Sequence, residues 1–140
     1  MIAIAICCTA HCAIADTGTE STLVGLWKVE SASFELPEQC QRNGQYQRFG
    51  GDGISVSNDG SLVTKGTYRL SKYGETQFLY TTLLSDNGKP NCQGLSAKYV
   101  RKHQPKKRPI PIRFIDGGQR VQVFLGEDET APHITLVKLK

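Results

Sequence analysis

The sequence predicts an all-β fold, an antiparallel up-and-down barrel of about eight strands. Three observations carry that expectation. Short runs alternating apolar with polar residues recur from Leu23 to the end of the chain. Turn-forming clusters separate them, including Asn58-Asp59-Gly60, Ser85-Asp86-Asn87-Gly88 and Asp116-Gly117-Gly118. No stretch carries the sustained 3.6-residue period of a long amphipathic helix. With 140 residues, 39% of them hydrophobic, the chain is sized for a single core.

The first segment, residues 1–15, holds no Lys, Arg, Asp or Glu and ends in Ala13-Ile14-Ala15, a small-x-small site. This reads as the apolar and cleavage regions of a signal peptide, without its charged beginning. Residues 16–22 form a polar leader, and residues 23–140 a single domain. A first strand is expected from Leu23 to Phe34, with Trp27, Val29 and Ser31 on one face. Pro37 ends it, and Glu38 to Gly44 reads as a loop carrying Cys40. Tyr46 to Phe49 is a short strand before the bend Phe49-Gly50-Gly51-Asp52-Gly53. That bend lacks the lysine and following helix of a phosphate cradle.

Ile54 and Val56 open the next strand, and Asn58-Asp59-Gly60 turns it into a return strand through Leu70. Tyr68 and Leu70 share one of its faces. Thr76 to Leu84 is the most apolar strand, with Phe78, Tyr80 and Thr82 on one face. Leu95 to Lys102 reads as another strand, showing Ala97 and Tyr99 on one side. After a loop from His103 to Pro109, Ile110, Ile112 and Phe114 alternate with Pro111 and Arg113. A proline inside that run implies an edge or a bulge. Val121, Val123 and Leu125 define the next strand, and Ile134 to Leu139 the last.

The stretch Leu23 to Ser31 contains the only tryptophan, in the tripeptide Gly25-Leu26-Trp27. A Gly-x-Trp opening a first strand, with only strands and turns behind it, resembles the lipocalins and the small lipocalin-like barrels of bacteria. The run Ile54 to Leu70 and the closing strand Ile134 to Lys140 resemble that group too. The family's second signature, a Thr-Asp-Tyr-type loop, is absent. The resemblance implies a lipocalin-like barrel whose closed end is plugged by Trp27. It also implies that Lys138 or Lys140 lies over the indole as a cation–π contact, where the family usually has arginine.

If residues 1–15 are removed, two cysteines remain, Cys40 and Cys92. An even count in an exported chain suggests one disulfide, with two reduced buried cysteines as the alternative. Neither cysteine has a second ligand at C-x-x-C or C-x-x-H spacing, so no metal is expected. No nucleophile elbow or zinc-helix motif occurs. His103 and His133 sit in loop or strand-start contexts, and no catalytic residues or cofactor are expected. The protein reads as a non-enzymatic binder, periplasmic or secreted.

Two kinds of partner remain. One is a small apolar or amphipathic ligand inside the barrel, with Trp27, Tyr68, Phe78, Tyr80, Tyr99 and Phe114 as candidate interior contacts. The other is an acidic protein or envelope surface meeting the basic stretch of Lys98, Arg101, Lys102, Lys106, Lys107 and Arg108. The net charge of +4 and the lack of interleaved aromatics make nucleic acid a poor candidate. No run approaches the roughly 20 apolar residues of a membrane-spanning helix.

Overall fold

The structure is a computed structural model that describes residues 19–104 and 107–139. The signal-peptide reading falls on residues 1–15, outside the described ones. Eight antiparallel strands close into one barrel. They are β1 (Gly25–Ala32), β2 (Gln45–Phe49), β3 (Ile54–Asp59), β4 (Leu62–Tyr73), β5 (Thr76–Asp86), β6 (Lys107–Ile115), β7 (Arg120–Phe124) and β8 (His133–Lys138). Each pairs with its sequence neighbour, and β8 returns to β1 with Trp27 opposite Lys138. The all-β, up-and-down expectation therefore holds.

Among the described residues three short α-helices decorate the barrel, α1 (Glu20–Leu23), α2 (Glu38–Asn43) and α3 (Ala97–His103), with one turn of 3-10 helix at Asp116–Gly118. The strand expected over Leu95 to Lys102 is instead α3, and the loop after Pro37 contains α2. Ser96 caps α3, accepting from the Tyr99 N–H at 3.1 Å, which satisfies one otherwise unpaired donor. Arg101, Lys102 and His103 occupy its last turn, where positive charge complements the helix dipole. Ala97 and Val100, one helical turn apart, pack on Leu62. In so short a segment, alternation and helical spacing use the same apolar residues, so the pattern alone does not choose between them.

The connections sort by length between the two ends of the barrel. Tight connections after β2, β4 and β6 lie at the end where β1 begins. Longer ones, carrying α2, α3 and the segment 125–132, lie with the β3–β4 hairpin at the other end. Pro109 and Pro111 sit where β6 pairs with β5 but has not yet met β7, whose pairing starts at Ile112. This is the edge position that proline inside a strand demands.

The short-turn end is closed. Trp27 is completely buried, and its Nε1–H donates to the Leu23 carbonyl at 2.7 Å. Leu23, Phe49, Tyr68, Leu79, Ile112, Val121 and Leu136 complete that core. Lys138 Nζ lies 5.4 Å from the indole centroid and donates to the Thr22 carbonyl at 2.8 Å. Of the two lysines named from the sequence, Lys138 holds this place, and Lys140 lies outside the described residues. Gly25 is required here: its φ of +139° suits glycine, and a Cβ would stand 3.0 Å from Lys138 Cε.

Candidate functional site

The opposite end opens into a cavity of about 460 Å³. Its wall follows from which residue of each alternating pair turns inward. On β4 and β5, Tyr68 faces Thr81 and Leu70 faces Leu79 across the strand pair. Tyr68 and Leu79 belong to the core, so the intervening Arg69 and Tyr80 point outward, as does Phe78. Arg69 covers the Tyr80 ring at 4.3 Å from its centroid, and Phe78 lies 6.4 Å from Tyr80 between centroids. These contacts give the two aromatic rings cover on the outer face.

The same reasoning points Ile54 and Val56 outward. Phe49, 3% exposed, pairs with Ser55, 7% exposed, so β3 presents Ser55 and Ser57 to the interior. The cavity is then lined on the β2–β5 side by Gln45, Gln47, Ser55, Ser57, Thr64 and Thr81. Facing them on β1, β6, β7 and β8 are Val29, Ile110, Val123, Ile134 and Leu136. The β2–β5 half thus carries most of the polar groups, although Phe49, Leu62, Leu79 and Leu83 and the charged Asp59 and Lys65 also line it, and the strands of the other half are mainly aliphatic. Arg108 enters from β6 beside Thr81, and among the described residues it has no ion-pair partner.

Of the six interior candidates, Trp27, Tyr68 and Phe114 face inward at or near the closed end. Tyr68 meets Phe49 edge-on at 4.9 Å and donates its hydroxyl proton to the Gly50 carbonyl at 2.5 Å. Burial pushes that hydroxyl above the usual tyrosine pKa, and the Glu20 and Asp52 carboxylates push the same way. Phe114 pairs with Val121 and packs against the core. Phe78 and Tyr80 are outside. Tyr99 is 47% exposed on α3, stacked on His103 with 4.0 Å between centroids.

The described residues of the basic stretch are divided between two elements. Lys98, Arg101 and Lys102 are exposed on α3, Lys107 is exposed at the start of β6, and Arg108 faces the cavity. Lys106 lies outside the described residues. The cavity's polar residues are not marked by apolar alternation, which points to a filled interior. The available signal was the period-two pairs Gln45-x-Gln47 and Ser55-x-Ser57 in short strands.

The open end carries a disulfide. Cys40 and Cys92 form a disulfide across a sequence separation of 52, with Cα atoms 4.9 Å apart. It ties the connection after β1 to the connection after β5, strands on opposite sides of the barrel. Gly60 makes room for it: a Cβ there would come within 2.8 Å of the Cys92 backbone. Asp59 accepts from the Cys92 N–H at 3.3 Å and from Gln45 Nε2 at 3.1 Å. Ligand-type atoms of Cys40, Asp59 and Cys92 lie within 4.8 Å of one another. Both sulfurs are committed to the disulfide, however, and offer no thiolate to a metal.

A second tether holds α3. Arg101 Nη1 reaches both oxygens of Asp86, at 2.7 and 2.5 Å. This hydrogen bond, reinforced by the Gly88 N–H, holds the Asp86 carboxyl below its usual pKa of 3.8. A depressed folded-state pKa stabilises fully above the unfolded value, and the contribution is lost as pH falls through the folded one. Anchoring of α3 should therefore be complete above about pH 4 and be lost only as pH falls through the depressed value of Asp86. Amide chemical shifts of Val100 and Gln104 should titrate with a midpoint under the ordinary aspartate value. A midpoint at or above that value means that Arg101 does not hold the carboxylate in solution.

No protein-family model, curated protein or solved structure matches this chain. Among the described residues, no helix is long and apolar enough to cross a membrane.

Proposed function

We propose that this protein is an exported, non-enzymatic carrier or sensor of a small amphipathic molecule, held in the open end of a lipocalin-like barrel. The observation that carries the reading is the cavity of about 460 Å³, within the range of small-molecule sites. A barrel of eight strands is just wide enough to fill itself or to hold one ligand, and here the filling stops above Trp27. The cation over a buried tryptophan at the closed end supports the likeness to lipocalins, and the disulfide supports an oxidising compartment. The alternative, recognition of an acidic surface by the basic stretch, draws less support. Arg101 is engaged by Asp86 and Arg108 turns into the cavity.

The test is a fluorescence titration with 1-anilinonaphthalene-8-sulfonate. Saturable binding of one probe per chain is expected, and Val123→Trp, which fills the aliphatic wall, should abolish it while circular dichroism stays unchanged. Probe binding that survives this variant, or never saturates, overturns the cavity reading.

A further inference from the structure

Resting on that reading, we infer that the ligand is a rigid, facially amphipathic ring molecule, with hydroxyls along one face and at most one negative charge. The two halves of the wall differ in their share of polar groups: hydroxyls gather on one side, among Phe49, Leu62, Leu79 and Leu83, and the strands of the other side contribute no hydroxyl to the lining among the described residues. Ser55, Ser57, Thr64 and Thr81 bring four hydroxyls to the β3–β5 side. Ser57 donates to Gln47 Oε1, whereas the side chains of Ser55, Thr64 and Thr81 have no protein partner among the described residues. The facing strands β6, β7, β8 and β1 offer aliphatic side chains, with Arg108 as the exception near the mouth.

A linear acyl chain does not match this arrangement. Its carboxylate fits Arg108, but its methylenes would lie against both walls and strip water from the hydroxyls without replacing it. Each buried hydroxyl left unpaired weakens binding by about fivefold or more. A flexible chain also loses rotational freedom on binding, which a fused ring has already given up. A ring system with one hydroxylated face satisfies the polar wall and lays its bare face on Val29, Val123 and Ile134. A single carboxylate at one end then reaches Arg108, a charge-assisted contact.

Displacement of 1-anilinonaphthalene-8-sulfonate by probes of defined geometry tests this. Cholate, with hydroxyls on one face and one carboxylate, should displace the dye at roughly a tenth or less of the concentration needed for unhydroxylated cholanate or linear laurate. The triple variant Ser55→Ala, Thr64→Val, Thr81→Val should weaken cholate by about tenfold or more and leave cholanate unchanged or tighter. Arg108→Gln should erase the preference for cholate over its neutral methyl ester. The inference is overturned if cholanate or laurate competes as well as cholate while the dye still binds one per chain. It is also overturned if the triple variant weakens cholate and cholanate alike. Failure of the dye itself to bind in the cavity removes the underlying reading, and this inference with it.

Discussion

Trp27→Ala is expected to lower the unfolding free energy by about 4–5 kcal/mol, the upper part of the range for truncating a buried aromatic residue. Three losses coincide at this position. The indole is fully buried, so its removal leaves a cavity in the closed end, where α1 and the β6–β7 turn meet the barrel. The Leu23 carbonyl loses the donor that reaches it at 2.7 Å. Lys138 loses the ring beneath its ammonium, although its bond to the Thr22 carbonyl remains available. Against a total stability of about 5–15 kcal/mol, this takes the protein close to unfolding. Urea titrations of wild type, Trp27→Ala and Trp27→Phe separate the contributions. The phenylalanine variant keeps most of the volume and loses the N–H, and should cost about 2 kcal/mol. A loss under about 2 kcal/mol for the alanine variant means that the closed end seals without Trp27, and that the Gly25–Trp27–Lys138 corner is not what holds it.

That corner was legible because Gly25-Leu26-Trp27, with the only tryptophan, resembles the opening of a lipocalin barrel; the choice between Lys138 and Lys140 was not, since both lie on the closing strand expected over Ile134 to Lys140. The strands other than the one expected over Leu95 to Lys102 were legible because Asn58-Asp59-Gly60 and its counterparts supply the backbone conformations that tight turns require. Which face of each strand looks inward was not. Alternation tells that Phe78 and Tyr80 share a face, and that Ile54 and Val56 share one, but not where that face points. Assigning apolar faces to the interior assumes a filled, oily core. Here the upper half of the barrel is hollow and half polar, so β3 and β5 turn serine and threonine inward. The outward rings are covered by Arg69 and by each other. Helix α3 was illegible for a different reason. Seven residues, Ala97–His103, are too few to separate a helical period from alternation. What decides is the Ser96 cap together with contacts to Leu62 and Asp86, which are distant in sequence.

Cysteine arithmetic named the pair Cys40 and Cys92, and the structure gives the bridge a place: at the open end, it ties the connections after β1 and β5 together beside Gly60 of the β3–β4 hairpin. Replacing both cysteines with serine should cost about 4 kcal/mol on the chain-entropy estimate for a loop closed over 52 residues. The cost should divide between a global and a local part. Globally, the unfolded chain regains the freedom that the crosslink denied it. Locally, α2 and the segment 87–95 lose their mutual anchor, because neither belongs to the sheet. Helix α3 keeps its own tether through Arg101 and Asp86 and should loosen less. Hydrogen exchange can therefore distinguish the two parts under native conditions. Protection should collapse over α2 and residues 91–95, fall modestly in α3, and decline in the strands only as far as global stability does. Dye release should quicken as well, since the connections after β1 and β5 at the open end are no longer tied together. Urea unfolding with and without reductant gives the magnitude. A loss below about 1 kcal/mol, with protection at α2 unchanged, shows that the mouth is held by packing on Gly60 and Asp59 alone. The bridge then adds nothing to the closure of the cavity.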